Sequence, residues 1–143
     1  MNAKELMIGD WVLALKTIGG SSCIARILEL GQKPYLACGI WGETHNYELL
    51  EPIPLTSYIL EMNGFSHDDT DVWRNQYGEI IVEIGIYHPD FINIRYKSET
   101  PDGTNEGEIS NICKVDGGNI MAHELQHALR LVGLNDVADN FKV

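Results

Sequence analysis

Basic residues are scarce in this chain. Ten Lys and Arg stand against 21 Asp and Glu, a formal net charge of −11. Binding to a nucleic acid draws on a basic footprint that displaces counterions from phosphates. Here Lys16, Arg26, Lys33, Arg74, Arg95, Lys97, Lys114 and Arg130 are scattered singly, with no basic stripe or helix, which argues against a DNA or RNA partner. Long apolar runs are lacking too. Nothing approaches the roughly 20 residues of a membrane-spanning helix. The opening Met1-Asn2-Ala3-Lys4-Glu5-Leu6 has no apolar stretch behind its lysine, so it does not read as a signal peptide. Cysteine is sparse: Cys23, Cys38 and Cys113 are odd in number, widely spaced and set among apolar neighbours, with no C-x-x-C pair. That pattern predicts buried, reduced thiols rather than a disulfide framework, and with the other absences a cytoplasmic protein.

What remains suits an ordinary globular chain. Its 143 residues are 44% hydrophobic, enough for one domain with a core of its own. The acid surplus is compatible with a basic protein partner, although solubility alone accounts for it more simply.

The first half reads as short strands. Trp11–Leu15 follows a turn-like Gly9-Asp10; the breaks at Gly19-Gly20-Ser21-Ser22 and Gly31-Gln32-Lys33-Pro34 set off Ile24–Leu30 and Tyr35–Ile40; Tyr47–Glu51 closes the series. Four such strands predict a small barrel or curled meander over residues 1–51. The prolines at 52 and 54 end the sheet, and residues 52–65 read as a connector. Within it Thr56 can cap a helix Ser57–Met62, with Asn63-Gly64 as its stop and Phe65 packing back. Residues 66–143 read as a second, antiparallel sheet with one C-terminal helix. Its strands are Val72–Arg74, Ile80–Ile86, Phe91–Tyr96 and Ile109–Val115. Lys97–Gly107 reads as a polar loop, and Asp116-Gly117-Gly118-Asn119 leads into a helix of about Ile120 to Val132, stopped by Gly133. The class is α+β: a barrel-like N-terminal half and an antiparallel sheet packed by that helix. The tail from Asp136 is left as a brief strand or packed end.

The helix carries the chemical suggestion, His123-Glu124-Leu125-Gln126-His127. At about 100° per residue, Met121, Ala122, Leu125, Ala128, Leu129, Leu131 and Val132 share the apolar half. His123, Gln126, His127 and Arg130 share the other. Histidines at i and i+4 can hold one zinc ion, and the adjacent glutamate can act as general base on a metal-bound water. The stretch resembles the zincin metalloprotease helix, which implies His123 and His127 as ligands and Glu124 as base. Against this, Gly133 stands where one zincin group has a third histidine, and Arg130 puts a cation on the histidine face. Asp136 or Asp139 would have to complete the site, and Asp139 lacks the surrounding motif of aspartate-type zincins. An amphipathic helix whose polar face includes two histidines explains the same residues.

Four separated stretches match a wider pattern in order: Leu6-Met7-Ile8-Gly9-Asp10-Trp11-Val12, Glu51-Pro52-Ile53-Pro54-Leu55-Thr56 with Ile59-Leu60, Asn63-Gly64-Phe65, and His123-Glu124-Leu125-Gln126. Over nearly its full length the chain resembles an uncharacterised family of small proteins from Bacteroidales-type gut bacteria and their phage-like and mobile elements. The resemblance brings no activity with it. It implies that the helix and its packing are the shared feature, since relatives of that kind vary at the positions of His127 and Glu124.

Other residues have plainer readings. His45, His67 and His88 lie in loops, where any could complete a metal site but a solvated ring is the ordinary state. Asp68, Asp69 and Asp71 start like a calcium loop without its glycine or distal glutamate. Ser21-Ser22 lacks the lysine of a phosphate loop, and Cys113 has no histidine beside it. Trp11, Tyr35, Trp41 and Tyr47 could line a binding surface, but suit a small core better. The leading expectation is a non-catalytic binding or accessory protein of a mobile element, with a protein partner and no cofactor. The alternative is a small zinc-dependent hydrolase or peptidase using the HELQH helix.

Overall fold

Alternating burial along Trp11–Lys16 and Ser21–Glu29 makes each a strand with one face in a core. The computed structural model describes residues 3–17, 19–87, 89–114 and 118–143. The chain folds as two units: the first holds the chain up to Pro54, Met121–Phe141 and Val143; the second holds Leu55–Ile120 and Lys142. No helix among the described residues is long and apolar enough to cross a membrane.

In the first unit, a short 3-10 turn at Ala3–Glu5 precedes β1 (Trp11–Lys16), β2 (Ser21–Glu29), β3 (Tyr35–Cys38), β4 (Gly42–Thr44) and β5 (Leu49–Glu51). They form one antiparallel sheet in the order β4-β3-β2-β1-β5. The expected barrel-like half is thus an open sheet, with β4 and β5 as its edges and no closure between them. Its core gathers Val12, Ala14, Ala25, Ile27 and Leu36, all fully buried, with Tyr47 and Leu50.

The cysteine reading is corrected here. Cys23 and Cys38 form a disulfide, with Cα atoms 6.4 Å apart, and Cys113 is free and exposed. The register explains the pairing. Ala25 stands opposite Cys38, and Cys23, two residues before Ala25, points to the same buried face. Spacing in the sequence carries no trace of that register.

The second unit begins with α1 (Ser57–Met62). Thr56 Oγ1 accepts from the Ile59 N–H at 3.2 Å, and Phe65 N–H returns to Leu60 O at 3.0 Å across the turn at Gly64, as the capping pattern anticipates. Then come β6 (Ser66–His67), β7 (Val72–Tyr77), β8 (Ile80–Gly85), β9 (Asp90–Thr100) and β10 (Gly103–Lys114), an antiparallel sheet in the order β10-β9-β8-β7-β6. Trp73, Val82, Ile84, Ile92 and Ile94 fill its apolar face. The expected polar loop at 97–107 is a long hairpin instead, turning at Pro101-Asp102. Pro-Asp-Gly is a turn signature, and these strands lack apolar alternation because both faces are exposed at their tips. Val115 and the Asp116-Gly117 part of the expected helix lead lie outside the described residues.

The helix α2 (Ala122–Leu131) belongs to the first unit rather than to the second sheet, and α3 (Asn135–Asp139) follows it where a brief strand or packed end was expected. The link is made by the chain just before and within α2. Met121 bridges to Pro54, and Ala122 N–H donates to Ile53 O at 2.7 Å.

Candidate functional site

The site begins with the turn before β1. Gly9 adopts φ +90°, which L side chains rarely reach, and a Cβ there would stand 2.9 Å from an Arg130 nitrogen. The turn is tied to β2 from both sides: Gly9 N–H donates to Ile27 O at 2.8 Å and Ile27 N–H to Asp10 O at 2.9 Å. The Asp10 side chain is thereby fixed in the interior, with no exposed surface.

Onto this turn α2 lays its polar side chains. Asp10 accepts three hydrogen bonds: from Met7 N–H at 2.8 Å, from His127 Nε2 at 2.7 Å and from an Arg130 guanidinium nitrogen at 2.8 Å. Burial pushes the Asp10 carboxyl up, but the donors from His127, Arg130 and Met7 outweigh it and hold the group below its ordinary range. Asp10 is therefore an ionised acceptor, and His127 must carry its proton on Nε2 to face it. That nitrogen has no lone pair left for a metal in this arrangement.

Gln126 is fully buried beside it. Its Oε1 accepts from Trp11 N–H at 3.1 Å, and its Nε2 donates to Gly9 O at 3.0 Å and Ala138 O at 3.1 Å. Trp11 Nε1 donates to Phe141 O at 2.6 Å, and Arg26 bonds both Gly9 O and Asp139 O. The helix face read as polar and outward is thus largely buried, with His123 and Gln126 inside, while Leu131, read as packed, is 80% exposed. A wheel assigns faces by hydropathy and cannot anticipate polar groups that meet buried backbone partners.

The remaining expected site residues fall as follows. Glu124 Oε2 accepts from Met121 N–H at 2.9 Å, closing the first turn of α2. The His123 and His127 rings meet edge to face with centroids 5.6 Å apart, and buried His123 Nδ1 has no hydrogen-bond partner among the described residues. Burial lowers the His123 pKa, against the pull of Asp10 and Glu124. Asp139 Oδ1 lies 3.5 Å from Arg130, and Gly133, at φ +82°, ends the helix. His45 packs against Tyr35, His67 against Trp73, and His88 lies outside the described residues. Asp68 accepts from the Thr70 hydroxyl and N–H and from Arg74, and these donors, the hydroxyl foremost, hold its carboxyl down at about 2. Trp11 and Trp41 are half-buried under Arg26 and Lys16, and Tyr47 lies under Lys33.

Among the described residues no three or more His, Cys, Asp or Glu are grouped to hold a metal ion. Beside His127 and Arg130 there is an open hollow of about 340 Å³, lined by these two with Met7 and Leu131 and almost wholly apolar. Asp10 is the residue that sequence reasoning missed. Gly9-Asp10 reads as a turn, and its partners on α2 lie 117 and 120 residues away. No protein-family model, curated protein or solved structure matches the chain.

Proposed function

We propose that this chain is a non-catalytic binding or accessory protein, in which the HELQH helix is a fastener. The observation that carries the reading is Asp10, an ionised carboxylate with His127 on one oxygen and Arg130 on the other. Two of the three residues expected to do zinc chemistry, His127 and Glu124, have structural uses, and so does Gln126 between them. His127 donates to Asp10, Gln126 satisfies three backbone groups, and Glu124 closes a helix turn. The resemblance to mobile-element proteins is in keeping with an accessory role. A cytoplasmic location loses the support of reduced thiols, because the Cys23–Cys38 disulfide favours folding in an oxidising setting.

One observation favours the alternative, a zinc-dependent hydrolase with His123 and His127 as ligands and Glu124 as base. It is the buried Nδ1 of His123 without a hydrogen-bond partner among the described residues. Zinc there would have to use Nδ1 of His127, with its Nε2–H still held by Asp10, or draw His127 off Asp10.

Elemental mass spectrometry of untagged protein, incubated with excess zinc and desalted, separates the two. The fastener reading expects the same background zinc in the wild type and in a His123→Ala/His127→Ala variant. About one zinc per chain, lost in the variant, would overturn it.

A further inference from the structure

One face of the second sheet carries a line of alternating charges. Asp68 meets Arg74 at 2.9 Å, Arg74 meets Glu83 at 2.7 Å, Glu83 meets Arg95 at 2.8 Å, and Arg95 meets Glu106 at 3.5 Å. The line thus crosses β7, β8 and β9 and ends on β10 with an acid. β10 is an outer strand of 12 residues, most of them exposed, and among the described residues only β9 pairs with it. The other outer strand, β6, has two residues. Sheets usually protect such edges by shortening or covering them, because open backbone groups pair readily with another strand. Here Gly107 lets the Tyr96 ring lie over the strand where a Cβ would come within 2.3 Å of it, and a register shift between Glu108 and Ser110 is the one irregularity.

We propose that β10 is a docking edge for an extended, basic segment of a partner protein, which adds to the sheet as a sixth strand. The proposal rests on the binding-protein reading and names its partner class. Charge decides the occupant. Glu106 is half exposed although Arg95 and, at 3.9 Å, Lys97 face it from β9; a strand continuing the alternation would set a further Lys or Arg on its open side, and Glu99, Asp102 and Glu108 are exposed along the same hairpin. A second copy of the chain would bring another net −11 to this edge. Backbone pairing would supply affinity, and the alternate side chains the selectivity.

The test uses a fluorescent (Lys-Thr)5 peptide and anisotropy with the full chain at low salt. Binding is expected, with none for (Glu-Thr)5 and at least a ten-fold loss in a Glu106→Lys/Glu108→Lys variant whose circular dichroism is unchanged. Two further peptides carry N-methyl groups on all Lys amides or all Thr amides. Alternate N–H groups of an added strand face its neighbour, so one methylated peptide must lose ten-fold or more and the other far less. Equal binding by both would mean charge attraction without pairing and would overturn the proposal, as would no binding of (Lys-Thr)5. A dimer in sedimentation that Ile109→Pro dissociates would assign the edge to a second copy and overturn it too. A zinc-free protein that ignores every peptide sinks the docking edge alone, since zinc content decides the underlying reading separately.

Discussion

Replacing Asp10 by Asn tests the fastener most directly. The side chain keeps its shape but loses the charge that faces His127 and Arg130, and its amide turns a donor toward one of them. Arg130, whose side chain is 12% exposed, then keeps only the more distant, exposed Asp139 carboxylate at 3.5 Å. Removing one partner of a buried ion pair costs about 3–5 kcal/mol. The remaining amide oxygen can still accept either from both Met7 N–H and His127 Nε2 or from Arg130, so the lower end, about 3 kcal/mol, is the expected loss. That is roughly a hundred-fold change in the folding equilibrium. Urea unfolding should be read by tryptophan fluorescence in a Trp73→Phe background, because the remaining Trp11 and Trp41 both lie in the first unit. A lower midpoint at unchanged slope is expected. Arg130→Leu on the Asp10→Asn background should cost much less than the sum of the two single changes, since the cycle removes both charges. A loss below about 0.5 kcal/mol for Asp10→Asn would refute the reasoning and return His127 to the candidates for other chemistry.

Four further outcomes are expected. Gln126→Leu keeps volume but leaves the Trp11 N–H and the Gly9 and Ala138 carbonyls without this partner, so the same urea assay should find it about 2 kcal/mol or more less stable. Alkylation without reductant should label Cys113 alone, and after reduction all three cysteines by mass. Cys38→Ala should lose about 3 kcal/mol, the chain-entropy value for a loop of this size. The pH dependence follows from Asp10. Its carboxyl is held below the ordinary aspartate value, so the stability it contributes is complete above pH about 4 and is lost as pH falls through the lower folded value. First-unit fluorescence should show that acid loss in the wild type and a flatter profile in Asp10→Asn.

Local patterns were legible where local chemistry decides. Thr56, Asn63 and Gly64 bound α1 as their capping preferences require, and the apolar run at Trp11–Leu15 and the β-branched run from Ile80 mark strands. The zinc-like spacing on α2 was just as legible, because i and i+4 on any helix share a face. What that face meets was not. Asp10 and His127 are 117 residues apart, and only folding puts a buried carboxylate under the helix that gives His127 a proton to donate. The same holds for Cys23 and Cys38, joined by strand register, and for α2, which the chain returns to the first sheet although the second lies nearer in sequence. The sequence by itself determined the α+β class, the acidity and the capped helix α1, since these depend on composition and on neighbours in the chain. Tertiary structure alone decided which distant group each polar side chain meets and how little water reaches it, because neither is set by neighbours in the chain.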